Sequence, residues 1–210
     1  MFTPRLESTN EKARASIRDN IRVRRKMLTA TFQQEASKSL LCSLIQEKSV
    51  QKAEHIAIYL AVNGELDLQP FIKWCWQQNK QTYVPVVHPF SAGNLLFLHY
   101  HNNSKMVLNQ YKIKEPALDV RDIKPVNTLD IILTPLVAFD SSGARIGMGG
   151  GYYDRTLAQW YKQYTKQIRF NPIPIGIAHD CQHVENVPVE TWDIPLPKII
   201  TPSHTFNFSL

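Results

Sequence analysis

A chain of 210 residues, 43% hydrophobic and 20% charged, has the composition of a globular protein with a sizeable core and excludes a disordered or fibrous one. No apolar run approaches the roughly 18 residues of a membrane helix, the first ten residues lack the apolar segment of a secretory signal, and three scattered cysteines (Cys42, Cys75, Cys181) suit reduced thiols in a cytoplasmic setting. Of the net charge of +6, five units fall before Thr31, where eight Lys or Arg stand against three acids, so this segment could meet a phosphate-bearing ligand, a nucleic acid or an acidic surface.

Residues 11–28 contain no Gly or Pro and predict a helix, with Ile17, Ile21 and Leu28 on one apolar stripe. Arg14, Arg18, Arg22 and Arg25 fall on the strip beside it, at the rim of the expected core. Thr31 with Gln34 has the pattern of a capping box for a second helix that buries Ala36, Leu40, Leu44 and Ile45. Residues 55–62 (HIAIYLAV) predict a strand, closed by the turn signal Asn63-Gly64. Asp67 predicts the cap of a helix through Gln78 that buries Leu68, Phe71, Ile72 and Cys75. Residues 82–87 and 95–100 follow as strands, and the almost continuously apolar 130–139 reads as a strand covered on both faces. A helix over 153–164 carries Tyr153, Leu157, Trp160, Tyr161 and Tyr164 on one side, 173–178 is a further strand, and the tail from Val187 is proline-rich and extended. Alternating strands and helices predict an α/β fold with a mostly parallel central sheet flanked by helices. No repeat or linker divides the chain, so a single domain over 1–210 is expected, with 1–10 flexible.

The stretch 135–155, PLVAFDSSGARIGMGGGYYDR, carries the chemistry. A buried strand ends at Phe139, the chain turns between Asp140 and Gly143, and Gly147, Gly149, Gly150 and Gly151 lead into a helix. Such glycines let backbone N–H groups close on an anion, and the helix adds unpaired N–H groups and the positive end of its dipole. Ligands of open α/β sheets bind at this strand-to-helix edge, and phosphate is the natural occupant. The pattern is not a P-loop, because no Lys-Ser/Thr follows, and not a dinucleotide fingerprint, because Tyr152 stands where glycine is required. Asp154 falls in the first helical turn, as a dipole complement or a magnesium ligand; the residue pattern leaves both open.

These residues closely resemble the signature of the 5-formyltetrahydrofolate cyclo-ligase family, also called 5,10-methenyltetrahydrofolate synthetases. The resemblance rests on Phe139-Asp140, Gly143, Arg145-Ile146-Gly147, Gly149 and Gly151-Tyr152-Tyr153-Asp154. It extends to the amino-terminal Arg-rich helix, Asn63-Gly64-Glu65, Ile113, Glu115-Pro116, Val187-Pro188 and Asp193, in family order. It implies an architecture similar to that of sugar-phosphate isomerases and coenzyme A transferases. It implies also a cytoplasmic ligase that uses ATP and Mg2+ to cyclise 5-formyltetrahydrofolate to 5,10-methenyltetrahydrofolate through a phosphorylated formyl intermediate, releasing ADP and phosphate. The partners so implied are small molecules, with no nucleic acid, membrane or obligate protein.

By the same resemblance, ATP would be held by Arg14, Arg18, Arg145, Ile146, Gly147, Met148, Gly149, Gly150, Gly151, Tyr152 and Tyr153. Leu60, Glu65, Met148, Gly149, Gly150, Gly151 and Tyr152 would border the folate. Arg145, Tyr152 and Asp154 would be catalytic, and Asp154 and Asp193 would hold magnesium. Many relatives carry Lys where Arg14 stands, so a point charge is replaced by a planar, bidentate fork.

Two other readings attach to particular residues. His179, Cys181 and His183 form H-x-C-x-H, with zinc-ligand residue types but no evident fourth ligand. The basic helix could read nucleic acid, though its segment holds no aromatic platform. His99 and His101 read as surface residues on or just after a strand, and Trp160 and Tyr161 as core.

Overall fold

The computed structural model describes residues 9–109, 113–166 and 171–209. The segment expected to be flexible lies outside them, except for Thr9 and Asn10, which open the first helix. In chain order the elements are α1 (Thr9–Lys26), α2 (Ala30–Gln46), α3 (Lys48–Lys52), β1 (His55–Ala57), α4 (Gln69–Gln77), β2 (Gln81–Val87), β3 (Leu95–Tyr100), β4 (Met106–Leu108) and β5 (Lys114–Pro116). They continue with β6 (Ile123–Lys124), β7 (Ile131–Pro135), β8 (Ala138–Phe139), β9 (Arg145–Ile146), α5 (Tyr152–Tyr164), β10 (Ile173–Ile177), β11 (Lys198–Ile200) and β12 (Thr205–Asn207). No described helix is long and apolar enough to cross a membrane.

Eight strands form one sheet in the order β12-β11-β10-β7-β1-β2-β3-β6. Its centre, from β11 to β2, is parallel, while antiparallel pairing adds β12 to β11 on one edge and β3 to β2 and β6 to β3 on the other. The mostly parallel α/β fold expected from the alternating pattern is therefore the fold observed. Side chains alternate faces with period two. Ile56, Ile58, Ile131 and Leu133 pack beneath α2 and α4 with Leu40, Leu44, Phe71 and Ile72, whereas Ala57 and Ile132 face α5 with Leu157 and Trp160. Order reverses at β1: the chain moves outward to β2 and β3, then returns to lay β7 along the opposite side of β1. Connections that diverge there leave a crevice at the carboxyl ends of β1 and β7.

Several predicted bounds change for local reasons. The second helix starts at Ala30, because Thr29 has extended backbone and its hydroxyl accepts from Phe32 N at 3.2 Å; this replaces the Thr31–Gln34 box. Ile45 is only half-buried. The strand predicted over 55–62 leaves its ladder after Ala57, with one more bond from Ile58 N to Tyr83 O at 2.7 Å, and the following residues bend into a turn. Asp67 accepts from Gln69 N at 2.9 Å just outside α4. The run 130–139 divides: the Gln182 side-chain amide donates to the carbonyls of Leu136 and Val137, at 2.7 and 3.0 Å, and Ala138–Phe139 then pairs with Arg145–Ile146 as a hairpin. That hairpin is the seat of α1, whose Ile17 and Ile21 pack on Val137, Ala138, Ala144 and Ile146.

Gly176, in β10, has no room for a side chain. A Cβ there would lie 2.7 Å from Ile199 Cγ1, 2.9 Å from Leu196 Cδ1 and 3.0 Å from Leu136 Cδ2. Gly176→Ala should therefore lower stability by about 1–3 kcal/mol through overpacking, read as a reduced urea midpoint at unchanged m-value.

Candidate active site

A cleft of about 780 Å³ occupies the crevice. One wall is the turn after β1, with Tyr59, Leu60, Val62, Asn63 and Glu65; β2, Leu95 and the end of β7 form its floor. The β4–β5 hairpin contributes Asn109, Ile113, Lys114 and Glu115, and the glycine loop closes the remaining side as far as Asp154.

Packing of α1 on the β8–β9 hairpin decides where its arginines go. Arg18 Nε donates to Gly147 O at 2.9 Å. Arg14 forks onto Asp193, Nη1 to Oδ2 and Nη2 to Oδ1, and its Nη1 also donates to Pro188 O at 2.8 Å. Arg22 makes an exposed pair with Asp19 at 2.9 Å. Arg25 is 2% exposed, with Nε and Nη1 lacking a hydrogen-bond partner among the described residues. The row expected along the rim is thus split between the loop, solvent and the interior. Burial lowers the pKa of Arg18, as do Arg14 and Arg22, against opposing pulls from Asp193 and Asp19.

Two ion pairs frame the loop. Besides Arg14–Asp193, Arg145 Nη2 lies 2.7 Å from Asp154 Oδ1, with the arginine side chain almost wholly enclosed. Burial lowers the Arg145 pKa, opposed by Asp154 and Asp193. Its Nε is buried and has no hydrogen-bond partner among the described residues, while the residue borders the cleft. Within the loop, Gly149 (φ +104°) and Gly151 (φ +63°, the N-cap of α5) need glycine for conformation. Gly150 needs it for space, since a Cβ would sit 2.6 Å from the Tyr152 ring.

The carboxylates differ in what they can offer a metal. Asp154 Oδ1 accepts from Arg145 and from Ile194 N (3.2 Å), while no hydrogen bond reaches Oδ2 among the described residues. Asp193 has Arg14 on both oxygens and Glu190 N on Oδ2 at 2.8 Å, so one lone pair of Oδ1 remains. Magnesium commonly takes one or two carboxylates and completes its shell with waters and phosphate oxygens, a pattern that Asp154 fits better than Asp193. Among the described residues no group of three or more His, Cys, Asp or Glu side chains could hold a metal ion. In the H-x-C-x-H segment the side chains do not converge. His179 is buried, its pKa pushed down to about 4 by burial and Arg25, whereas His183 stacks on Phe139 and meets Ser141 Oγ at 3.1 Å.

Of the residues expected at the site, Leu60, Glu65, Arg145, Gly147, Met148, Gly150, Gly151, Tyr152, Tyr153 and Asp154 line the cleft. Gly149 sits against Arg18, and Arg14 and Asp193 meet each other outside the wall. Ile146 stands behind the loop, its side chain in the core and its carbonyl accepting from Val137 N at 2.7 Å. Residue patterns missed the β4–β5 hairpin as a wall, because its strands are three residues each. They missed Gln182 as well, a polar side chain with no signal of its own.

Fold and site define an α/β protein whose switch-point cleft is bordered by a glycine loop, with ion-paired arginines beside it. The model of the 5-formyltetrahydrofolate cyclo-ligase family matches residues 10–202, and the chain belongs to that family. It is similar to the 5-formyltetrahydrofolate cyclo-ligase of Escherichia coli (strain K12), 50% identical over 188 residues that cover 90% of this chain and 100% of the relative. The enzyme of that name from Haemophilus influenzae is 44% identical over 191 residues, covering 91% and 98%. The fold is similar to the NMR structure of Aquifex aeolicus 5,10-methenyltetrahydrofolate synthetase, with a TM-score of 0.75, 24% identity and 92% of each chain covered. A 5,10-methenyltetrahydrofolate synthetase from Mycoplasma pneumoniae gives a TM-score of 0.67 at 23% identity, over 90% of this chain and 98% of the other.

Glu65 supplies a test of the cleft's electrostatics. It is 8% exposed, and burial raises its pKa against the Val62 N–H (3.0 Å to Oε2) and Arg25. The native carboxyl then keeps its proton over a window in which the unfolded chain has lost it, so stability falls as pH rises through that window. Glu65→Gln should be more stable than the parent at pH 7, with the gap closing below about pH 4, where the carboxyl is protonated in both states. Thermal unfolding at a series of pH values reads the difference.

Proposed function

We propose that this chain closes 5-formyltetrahydrofolate to 5,10-methenyltetrahydrofolate using ATP and Mg2+, with release of ADP and phosphate. The observation that carries this reading is the position of the glycine loop. On one side it borders a largely apolar cleft of a size that suits a pterin with its aminobenzoyl group, and on another it meets Arg18 of α1. A loop reached by both partners is what phosphoryl transfer from a nucleotide to a cleft-bound acceptor requires.

An amide-like oxygen is a poor leaving group, and phosphorylation solves that problem. The formyl oxygen attacks the γ-phosphorus and the bond to ADP breaks. The neighbouring anilino nitrogen then attacks the activated formyl carbon, the carbon–oxygen bond breaks, phosphate leaves and the nitrogen's proton passes to solvent. Phosphoryl transfer needs positioning and charge neutralisation more than covalent help from the protein. Loop N–H groups, Arg18 and Arg145 supply both, and the ion pairs holding Arg14 and Arg145 keep those charges oriented before substrate arrives. Glu65 accepts hydrogen bonds from the donor edge of the pterin. Asp154, whose Oδ2 accepts no hydrogen bond among the described residues, would hold magnesium with help from Asp193, and the ion would neutralise charge on the phosphate oxygens.

Purified protein should generate methenyltetrahydrofolate absorbance from 5-formyltetrahydrofolate only with ATP, and excess chelator should abolish it; full turnover under chelation would remove the metal from the scheme. Arg18→Gln should lower kcat/KM roughly tenfold or more, the loss of a charge-assisted hydrogen bond. Arg24→Gln is the control, because Arg24 bonds Asn20 and the Cys181 carbonyl on the exposed side of α1 and should stay within about 0.5 kcal/mol. Equal small effects would take α1 out of the site.

A further inference from the structure

Arg155, the fourth residue of α5, plays no part in the scheme above. An arginine at this point is electrostatically out of place, since the first helical turn carries the positive end of the dipole, where carboxylates stabilise and cations do not. Yet the side chain occupies a slot built around it. Nε donates to Gly93 O at 2.6 Å, Nη2 donates to Gly150 O, and the guanidinium carbon lies 5.7 Å from the Tyr152 ring centroid. Gly93 (φ +79°) lies in the turn between β2 and β3, and Gly151 (φ +63°) caps α5. A Cβ at Gly93 would be 2.5 Å from Arg155 Nε, and one at Gly151 would be 2.9 Å from Nη1. Two left-handed glycines from separate elements thus leave the space that this guanidinium fills.

Its partners are carbonyls and a ring, not acids. Arg14 and Arg145 have carboxylate partners; Arg18 and Arg155, which each bond a glycine carbonyl of the loop, have none within ion-pair range among the described residues. Neither of the latter two lines the cleft, whereas Gly147, Met148, Gly150 and Gly151 do. In a planar trans peptide the C=O and N–H point to opposite sides. A carbonyl held from behind the loop therefore turns the next residue's N–H the other way. Arg18 on Gly147 O does this for Met148, and Arg155 on Gly150 O does it for Gly151.

We propose that Arg155 is a positioning residue for the nucleotide: it clamps the 150–151 peptide against the β2–β3 turn and thereby aims the Gly151 N–H at a bound phosphate. This rests on the ATP reading given above, and the measurements separate the two. Binding of a non-hydrolysable ATP analogue and of 5-formyltetrahydrofolate is measured separately by calorimetry, on the parent protein, Arg155→Ala and Gly93→Ala. The second variant keeps every charge but drives a Cβ into the slot. Both should lose roughly tenfold or more in nucleotide affinity, the worth of one N–H bond to an anion, with folate affinity changed about threefold at most. Methylguanidinium added to Arg155→Ala should restore nucleotide affinity, an effect that a general loss of stability would not produce. A parent protein that binds no nucleotide overturns the ATP reading and this role with it. If the parent binds and either folded variant binds equally well, or if both ligands weaken alike, the role of Arg155 alone is overturned.

Discussion

The cleft depends on where β7 stops. Ten nearly unbroken apolar residues could have continued as one buried strand, but Pro135 brings no N–H to the ladder and the Gln182 amide takes the carbonyls of Leu136 and Val137. The chain leaves the sheet there and folds back as the β8–β9 hairpin. That hairpin does two things at once: it launches the glycine loop toward α5, and its outer face becomes the seat for Ile17 and Ile21 of α1. Asp140 secures the bend, with Oδ1 accepting from Ser142 N at 2.8 Å and Oδ2 from Val187 N at 2.9 Å. Without the break, the first helix and the loop would have no reason to meet.

Charge is handled differently on the two sides of this junction. Around the loop, Arg14 and Arg145 each have a carboxylate fixed to them, and the tail between Pro188 and Ile194 joins the pairs by bonding Arg14 and Asp154 together with the turn at Asp193. Buried pairs of this kind give little net stability, because desolvation offsets attraction, but removal of one partner strands the other. Their contribution is orientation. In the opposite wall, Glu65 makes no direct salt bridge among the described residues, and burial pushes its pKa up against the pull of the Val62 N–H and Arg25. In the proposed reaction, donors and cations on one side would face the phosphate chain and an acceptor on the other the donor edge of the heterocycle.

Much of this was legible in the residue order. Alternating apolar runs predicted the mostly parallel sheet, the glycine cluster before Tyr152 marked a loop that borders the cleft, and the block Gly151-Tyr152-Tyr153-Asp154 carried the family resemblance that the comparisons show. Less legible were the limits of elements. The capping hydroxyl is Thr29 and not Thr31, because either residue satisfies the local rule and only the backbone at Thr29 is extended. H-x-C-x-H has the residue types of a zinc site, yet a helical turn at Asp180–Gln182 sends His179 inward and His183 onto Phe139.

What the sequence determined by itself was everything carried by short-range periodicity and composition: which faces are apolar, where glycine permits a close approach, and which family the chain belongs to. Tertiary structure alone decided the fate of the four spaced arginines of α1. Helical spacing places Arg14, Arg18, Arg22 and Arg25 on one strip but says nothing of depth or partner. Arg14 finds Asp193 at a separation of 179 residues and Arg18 finds Gly147 at 129, while Arg25 goes inside. Contacts at such distances follow from how the hairpin seats the helix, a packing outcome that no local window of residues contains.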